Sequence, residues 1–588
     1  MEKPWLQFYD DGVPASIDYP EVDLWTLLSD SFKNYPDQVA VRMILKYLPV
    51  GFKLGVKMTY KELEDKVNRL ATAMAGMGVK KGDRVAVQIP NSPGTVIAFL
   101  ATIRIGAIVV NTNPIYTSRE MHHQFNDSGA KVVVIWNSLY PKLKEIQKDT
   151  KVEKVIIYHL NDFMNPIYSY LLKSTLKKSG DWVDVEEEDS VYWMKTLISN
   201  NPPTPPAVAI DTDDVALFQY TGGTTGTPKA AMLSHRNLIA NIMQIDGWVN
   251  DMAHGKEVFM GAIPFFHVFG MTVGMLESLY VGGKLMVMPD PRDIEMLMKI
   301  IEEEGITLFP GVPTLYIAII NHKNVKNYDL KSVKVCISGG APLPVEVQRE
   351  FEAITGGKLR EGYGLTEAAP VTHANPIYGQ SKAGAIGIPF PDVEARIVSL
   401  DPDENGVFQV LDGGEEGELV INAPQVMVGY WNRPEETKNV KDAEGWLYTG
   451  DIAKMDEDGY FYIVDRKKDL IIASGYNIVP REVEEVLFEH PKVQEAIVAG
   501  VPHPTRGETV KAYVVLKPGE TATEKEIILF CKERLAPYKV PKMVEFRTEL
   551  PKSMVGKFLR RVLVEEEKAK IAAAQQAEAE AEAKPDSE

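Results

Sequence analysis

The residue types best suited to chemistry lie between Thr221 and Lys229, where the chain reads Thr-Gly-Gly-Thr-Thr-Gly-Thr-Pro-Lys. Glycines let consecutive backbone N–H groups converge into a concave nest, and the threonine hydroxyls and the lysine add further donors. This surface suits a polyphosphate. It differs from the usual nucleotide P-loop, because Thr227-Pro228 separates Gly226 from Lys229 and no Ser or Thr follows the lysine. The pattern therefore predicts a phosphate loop of another kind, with a flexible Gly/Thr hairpin as the alternative.

Two further clusters combine glycine with a carboxylate. Glu361 to Glu367 reads Glu-Gly-Tyr-Gly-Leu-Thr-Glu; its aromatic ring could stack on a base, and its last carboxylate could hold Mg²⁺ against phosphate oxygens. Tyr448 to Asp451 ends in a carboxylate whose two oxygens could accept hydrogen bonds from a ribose diol, with Arg466 as a second contact. Each cluster also fits a plain turn with a surface carboxylate.

Three more segments gain weight only in combination. Ser338 to Pro342 follows a predicted strand, and its Gly-Gly pair would let a flat ligand approach the backbone there. Gly556-Lys557 places an ammonium group in a late loop, where it could neutralise charge in a reaction. Pro264 to Gly270 is an apolar, aromatic strip with one imidazole, His267, and could form a wall of an apolar tunnel. The alternatives are a strand-to-helix turn, a solvent-facing lysine and a core histidine.

Composition restricts the class of protein. The chain has 588 residues, too many for one core, and its formal net charge of -18 argues against a nucleic-acid-binding surface. Two cysteines, Cys336 and Cys531, form no disulfide framework and indicate a reducing cytoplasm. The N-terminus lacks the features of a signal peptide, and no segment has the pattern of a membrane span.

The segments that must position these residues alternate between helices and short apolar strands from roughly Tyr60 onwards, which predicts an α/β fold. We expect a large N-terminal domain of layered αβ sheets plus a β-rich subdomain, and a small mobile α+β C-terminal domain. The expected boundaries are 1–465 for the N-terminal domain with an insert at about 160–206, 466–469 for a hinge, 470–563 for the C-terminal domain and 564–588 for an acidic Ala/Glu-rich tail. That tail is expected to be a solvated helix or frayed.

Together these segments resemble the adenylate-forming superfamily of acyl-CoA synthetases, firefly luciferases and peptide-synthetase adenylation domains, over nearly the whole chain. Five motifs occur in the family's order: its phosphate loop at Thr221 to Lys229, its Tyr-Gly-x-Thr-Glu motif at Tyr363 to Glu367, its ribose aspartate at Asp451, its hinge at Asp465 to Asp469 and its C-terminal lysine at Lys557. The beginning and the Pro551 to Lys557 ending look most like long-chain fatty acyl-CoA synthetases.

The resemblance implies a two-step reaction that uses ATP, Mg²⁺ and coenzyme A. A fatty carboxylate first forms an acyl-adenylate with release of pyrophosphate, and the thiol of coenzyme A then displaces AMP. The implied catalytic residues are Lys557, Thr366, Glu367 and His267. The implied metal-binding residues are Thr224 and Glu367. The implied hinge is Lys468 or Asp469.

The remaining implied site residues fall into two groups. The nucleotide and coenzyme A contacts are Thr221, Gly222, Thr224, Thr225, Lys229, Gly340, Ala341, Pro342, Glu361, Gly362, Tyr363, Gly364, Asp451, Arg466, Ser474, Gly475 and Tyr476. The residues of an apolar acyl pocket are Val268, Phe269, Gly270, Val312, Pro313 and Gly339. Burial of each CH₂ group in such a pocket contributes ~0.8 kcal/mol, which rewards long chains.

Several alternatives stay open. A medium-chain or aryl (coumarate-like) acid–CoA ligase differs only in pocket residues. A luciferase-type oxygenase, a peptide-synthetase module, a fatty acyl-AMP ligase and an inactive ATP-binding or scaffolding protein fit the motifs less well. We expect a cytoplasmic enzyme with no nucleic-acid partner. The aromatic and basic residues of the insert suggest peripheral contact with a membrane surface, with a lid over the protein itself as the alternative, and a homodimer is also left open.

Overall fold

The computed structural model describes residues 3–48, 51–221, 228–404, 406–467, 469–473, 476–503, 507–552 and 558–582. The chain divides into two compact units. Unit 1 comprises Met1–Ala395, Ile421–Leu447 and Asp458–Tyr460, and unit 2 comprises Arg396–Val420, Tyr448–Glu457 and Phe461–Glu588. Among the described residues, no helix is both long enough and apolar enough to cross a membrane.

The strands, numbered in chain order, are β1 (Val39–Tyr47), β2 (Lys53–Thr59), β3 (Arg84–Gln88), β4 (Ile108–Asn111), β5 (Val132–Trp136), β6 (Lys154–Tyr158), β7 (Val191–Trp193), β8 (Val215–Thr221), β9 (Lys229–Ser234), β10 (Val258–Gly261), β11 (Lys284–Val287), β12 (Val335–Ser338), β13 (Lys358–Gly364), β14 (Val371–Ala374), β15 (Ile388–Pro389), β16 (Glu394–Val398), β17 (Gly417–Asn422), β18 (Gly429–Tyr430), β19 (Leu447–Met455), β20 (Phe461–Arg466), β21 (Ile471–Ala473), β22 (Tyr476–Ile478), β23 (Val493–His503), β24 (Gly507–Leu516) and β25 (Met543–Phe546).

The α-helices are α1 (Leu24–Asn34), α2 (Tyr60–Gly76), α3 (Pro93–Arg104), α4 (Ser118–Ser128), α5 (Tyr140–Ile146), α6 (Pro166–Ser179), α7 (Met194–Asn200), α8 (His235–Trp248), α9 (Glu277–Tyr280), α10 (Ile294–Glu304), α11 (Pro313–Ile320), α12 (Val345–Thr355), α13 (Pro434–Lys438), α14 (Pro480–Phe488), α15 (Glu524–Lys532) and α16 (Arg560–Glu582). A π-helix, Gly270–Leu276, runs directly into α9.

The largest sheet of unit 1 has the strand order β18-β9-β8-β4-β3-β5-β6-β7. Its parallel strands are β8, β4, β3, β5, β6 and β7, and β9 and β18 add an antiparallel edge. The parallel strands are short and buried on both faces, as expected where helices cover a sheet. Helix α3 is an example of a buried helix: the side chain of Ser92 caps its start, and its residues from Pro93 to Ile103 are buried.

Two smaller sheets complete unit 1, with the orders β10-β11-β1-β2 and β12-β13-β14-β15. Leu308 forms parallel bridges to both Phe259 of β10 and Val335 of β12, and so links the two sheets. A second parallel bridge joins Gly311 to Ser338. The segment around 308–313 and strand β12 therefore run side by side towards the same edge.

Unit 2 contains most of a sheet with the order β16-β17-β19-β20 and a sheet with the order β22-β21-β24-β23, to which β25 is added beside β24. Successive side chains of β23 face opposite sides. Ala496 and Val498 join a core with α14 and α15, whereas Ile497 and Ala499 pack with Leu563 of α16. Part of the predicted tail is thus a helix packed on this sheet.

The predicted α/β class is confirmed, including parallel sheet content and a smaller α+β part at the C-terminal end. The predicted excursion at about 160–206 has two parts. Helix α6, all of which the structure describes, has no buried side chain. By contrast, β7 pairs with β6 at the edge of the large sheet, and α7 buries Met194 and Ile198.

Candidate functional site

The predicted phosphate loop connects β8 to β9. The two strands are antiparallel, and their register places Thr221 opposite Lys229. A hairpin thus brings the first and last residues of the motif together. Gly222, Thr224 and Thr225 lie outside the described residues.

Lys229 lies in a mixed aromatic and acidic environment. Its Nζ atom forms an ion pair with the carboxylate of Glu436 and lies 5.2 Å from the ring centre of Tyr430. The Tyr430 hydroxyl donates a hydrogen bond to Oε1 of Glu367 at 2.7 Å. Tyr430 therefore joins two predicted motifs that are distant in sequence, the phosphate loop and Tyr363 to Glu367.

The protonation of Tyr430 follows from its surroundings. Burial, together with the neighbouring Glu367 carboxylate, raises the pKa of the Tyr430 phenol far above its usual value. The phenol consequently keeps its proton at neutral pH and donates it towards Glu367. Neither Tyr430 nor Glu436 was predicted from the sequence, because neither belongs to a motif and only packing brings them to Lys229.

Two neighbouring strands carry the predicted adenine contacts. Ser338 at the end of β12 is paired in register with Glu361 of β13. Gly340 follows with a φ of +80°, a left-handed backbone that favours glycine. Ala341 and Pro342 come next at the surface, while Gly362, Tyr363 and Gly364 complete β13. The ring of Tyr363 meets His373 edge-on, with ring centres 5.8 Å apart. Thr366 begins a single helical turn just beyond β13.

The predicted acyl-pocket residues converge in the same unit. A Cβ atom at Gly339 would lie 3.2 Å from ring carbons of Phe269, and one at Gly340 would lie 3.9 Å from Val312. A Cβ atom at Gly270 would lie 2.5 Å from the carbonyl oxygen of Pro264, so glycine allows the chain to turn there. The pocket residues Val268, Phe269, Gly270, Val312, Pro313 and Gly339 are all buried.

His267 is half-buried in the middle of the aromatic strip from Pro264 to Gly270. Its Nδ1 atom accepts a hydrogen bond from the backbone N–H of Phe269 at 3.3 Å. Gln219 of β8, which the sequence did not single out, donates to the carbonyl oxygen of Phe266 at 2.9 Å. Gln219 also accepts from Asn111 at 2.9 Å. It thereby ties the aromatic strip to the strand that leads into the phosphate loop.

Unit 2 holds the other predicted site residues. Asp451 is buried in β19, in register with Arg466 of β20, and its backbone N–H donates to the Thr449 hydroxyl at 3.1 Å. The carboxylate of Asp469 accepts a hydrogen bond from Arg560 at 2.7 Å. Tyr476 begins β22. Outside the described residues lie Lys468, Ser474, Gly475 and Lys557.

The chain matches two sequence families. The AMP-binding enzyme family matches residues 28–431, and the AMP-binding enzyme C-terminal domain matches residues 482–557. The chain is 44% identical to a long-chain-fatty-acid–CoA ligase of Bacillus subtilis over 96% of this chain and 98% of the relative. It is 39% identical to a long-chain-fatty-acid–CoA ligase of Escherichia coli O157:H7 over 97% and 99%, respectively.

A comparison with solved structures leads to the same family. The ATP-bound crystal structure of MatB from Rhodopseudomonas palustris superimposes with a TM-score of 0.78 at 29% identity, covering 92% of this chain and 99% of that one. The chain therefore belongs to the AMP-binding enzyme family, as its five ordered motifs predict.

Proposed function

We propose that the chain is an AMP-forming long-chain fatty acid–CoA ligase. Its near full-length similarity to long-chain-fatty-acid–CoA ligases carries this proposal. Two features of unit 1 support it: Lys229, Tyr430 and Glu367 lie together, and Phe269 packs over Gly339 in an apolar pocket. The first suits a polyphosphate and the second a hydrocarbon chain.

In the first step, a carboxylate oxygen of the fatty acid attacks the α-phosphorus of ATP. The bond from that phosphorus to the bridging oxygen breaks, and pyrophosphate leaves. The barrier to such a reaction is lowered mainly by positioning and by stabilisation of charge. Thr221, Thr224 and Lys229 bind the β- and γ-phosphates, and Thr366 contacts the α-phosphate. Asp451 binds the ribose hydroxyls.

Mg²⁺ fits the donors at this site. A carboxylate, a hydroxyl and phosphate oxygens are the hard ligands that this ion prefers, and Glu367 and Thr224 would hold it. When bound, Mg²⁺ supplies positive charge that offsets the repulsion between the anionic reactants. The hydrogen bond from Tyr430 orients the Glu367 carboxylate for this role.

In the second step, the thiol of coenzyme A attacks the acyl carbonyl carbon and loses its proton. The bond from that carbon to the AMP oxygen breaks, which yields the thioester and AMP. We assign this step to a rotated C-terminal domain, with the hinge at Lys468 or Asp469 and the pantetheine arm beside Ser474, Gly475 and Tyr476. Lys557 then no longer contacts the adenylate.

A thioester assay across acyl chain lengths tests the assignment. Saturated fatty acids of increasing length and one aromatic acid should be compared at equal concentration, with AMP and pyrophosphate as the other measured products. Long-chain acids should be the best substrates. A preference for the aromatic acid would contradict the proposal and favour an aryl–CoA ligase.

The two steps can be separated at Lys557. We expect Lys557→Ala to abolish adenylate formation, because the ammonium no longer stabilises the developing charge, while thioester formation from supplied acyl-adenylate survives. Pyrophosphate release measures the first step, and thioester from synthetic acyl-adenylate measures the second. Equal loss of both steps would contradict domain alternation.

We further place the enzyme in the cytoplasm with peripheral contact to an anionic membrane surface. Helix α6 exposes Ile167, Tyr170 and Leu171 on one face, and Lys178 continues that face two turns after Leu171. Apolar and basic residues on one exposed helix face suit the membrane interface. Sedimentation with anionic liposomes should fall for a variant in which Ile167, Tyr170 and Leu171 are replaced by serine. Equal sedimentation would favour a lid instead.

A further inference from the structure

A small cavity lies in the interior of unit 1. Its volume is about 20 Å³, room for a single water molecule. Apart from one carboxyl group, that of Glu277, the side chains that line it are apolar, among them Val273, Ile337, Val335, Pro310 and Leu308. Apolar walls around a single polar group are typical of a site that orients one end of a ligand.

Glu277 is an unusual residue for such a place. Its exposed fraction is 1%, and neither carboxyl oxygen has a hydrogen-bond partner among the residues that the structure describes. Burial, reinforced by the nearby Asp246, raises the pKa of Glu277 well above its usual range. Burial therefore favours the neutral acid, which has one donor and free acceptor capacity. Leaving such a group unpaired costs free energy.

Three elements lead from the proposed acyl pocket to this cavity. Along the helical stretch, Phe269 of the pocket is followed one turn later by Val273 and then by Glu277. Along β12, Gly339, Ile337 and Val335 share one face because strand side chains alternate. The neighbouring segment repeats the pattern with Val312, Pro310 and Leu308, and the bridges from Gly311 to Ser338 and from Leu308 to Val335 keep the two in step.

The cavity thus lies just beyond the acyl-pocket residues along all three elements. The four-residue path from Gly339 to Val335 is roughly 13 Å long at the strand rise of about 3.3 Å per residue. A hydrocarbon chain reaches the cavity only if side chains between Phe269 and the cavity change rotamer, which is common when a ligand binds.

We propose that Glu277 closes the acyl channel and selects fatty acids that carry a hydroxyl group at the end remote from the reacting carboxylate. This inference rests on the proposed fatty acid–CoA ligase function. A hydroxyl group both donates and accepts, and so matches the neutral acid of Glu277. A methyl end leaves Glu277 unpaired, and a second carboxylate would bring an uncompensated charge into an apolar cavity.

The test compares kcat/KM for thioester formation with acids of equal length that end in methyl, hydroxyl or carboxylate, over a series of lengths. At the length that reaches Glu277, the hydroxyl-ended acid should exceed the methyl-ended acid by about tenfold, and the dicarboxylic acid should be the poorest. Glu277→Leu should reverse the order of the first two. Glu277→Gln should keep it, because an amide also donates and accepts.

Folding provides an independent measurement. Glu277→Leu should raise Tm, because it removes an unpaired polar group from the interior. Glu257→Gln is the matched control. Glu257 is equally buried, with an exposed fraction of 2%, but it pairs with Lys334 at 3.0 Å and accepts from the N–H of Ala253 at 2.9 Å. Glu257→Gln should lower Tm and leave the substrate ratios unchanged.

Failure has distinct signatures. A parent enzyme that forms no thioester with any plain fatty acid contradicts the proposed function itself. If plain acids react but the hydroxyl-to-methyl ratio is the same in the parent and in Glu277→Leu at every length, only the inference about Glu277 is overturned. If Glu277 merely holds a water molecule, its replacement will change all three end groups alike, which equally overturns it.

Discussion

Lys229 illustrates how one residue is prepared for an anion. Its ammonium group already has a carboxylate partner in Glu436 and an aromatic neighbour in Tyr430. Helix α13 supplies Glu436, and Arg433 lies 3.5 Å from the same side chain. A triphosphate that binds Lys229 must displace Glu436, because two anions cannot share the ammonium without repulsion. We therefore expect Glu436 to compete with the phosphates of ATP for Lys229.

We expect Glu436→Gln to lower the KM for ATP a fewfold, since a half-exposed ion pair contributes about 1 kcal/mol at most. Lys229→Ala should have the opposite effect: it should weaken ATP use while leaving thioester formation from supplied acyl-adenylate nearly untouched. Initial rates of pyrophosphate release at varied ATP give the KM for ATP of both variants. Thioester formation from synthetic acyl-adenylate gives the rate of the second step. Glu435→Gln is the control, because Glu435 is exposed and, among the described residues, its one ion pair is with Lys438 at 3.0 Å. An unchanged or higher KM in Glu436→Gln would contradict competition.

Among the elements, the turn before α6 combines the buried Asp162 with the half-buried His159, and burial shifts the pKa of these two groups in opposite directions. The ring of His159 stacks on Trp182, with centres 4.6 Å apart, and its backbone N–H donates to Asp162 at 3.0 Å. Burial raises the pKa of Asp162 to about 6, partly offset by the His159 N–H and by Lys195. Burial also lowers the pKa of His159 to about 4. Relative to the unfolded chain, the folded chain therefore favours the neutral form of each group.

Asp162 destabilises the fold increasingly as pH rises from about 4 to about 6, because the folded chain holds a proton that the unfolded chain releases near its usual pKa of about 3.9. We expect Asp162→Asn to raise the free energy of unfolding by about 1–3 kcal/mol at pH 7. The gain should shrink towards pH 4. Urea unfolding across this pH range measures it.

His159 is the internal control for that measurement. Its contribution runs the other way, because a folded-state pKa of about 4 means that stability is lost as pH falls from about 6.5 to about 4. His159→Phe should therefore gain stability at low pH and not at pH 7. A benefit of Asp162→Asn that is the same at pH 4 and pH 7 would contradict the assigned pKa shift.

On the scale of the whole molecule, each unit has its own hydrophobic core. The core under α14 and α15 consists of residues from unit 2 alone, whereas the core beneath the large sheet consists of residues from unit 1. Unit 2 also contains a buried charge cluster. Lys511 of β24 pairs with Glu545 of β25 at 2.8 Å and with Glu567 of α16 at 2.7 Å. This cluster attaches the terminal helix to the sheet.

We expect the two cores to unfold in separate transitions. Glu567→Gln should lower the free energy of unfolding of unit 2 alone, by about 2 kcal/mol, because a charged hydrogen bond to the buried Lys511 is weakened. Differential scanning calorimetry with the full chain measures this. Glu565→Gln is the control. Glu565 lies two residues before Glu567 on the exposed face of α16, and its replacement should shift neither transition. A shift of both transitions by the same amount would contradict independent cores.

Contiguous motifs made much of this protein predictable. The α/β class, the family and the order of its motifs followed from short stretches, because glycine-rich turns and alternating apolar segments act through the local backbone. The strand predicted before the Ser338 to Pro342 segment is β12, and the alternation predicted from roughly Tyr60 starts with α2 at that residue. Local chemistry limits such segments whatever the rest of the chain does.

Packing between distant segments decided the rest. The pairing of β18 with β9 brings together Lys229, Tyr430, Glu436 and Glu367. The Gly429-Tyr430 dipeptide alone does not predict this pairing. Glu277 has the same character. In the sequence it is a single acid in an apolar run, and only the tertiary structure shows that it lines a buried cavity without a hydrogen-bond partner among the described residues. Burial and hydrogen bonding depend on the whole surroundings of a side chain, so the sequence alone identified the family, whereas only the tertiary structure placed Glu277 in a buried cavity.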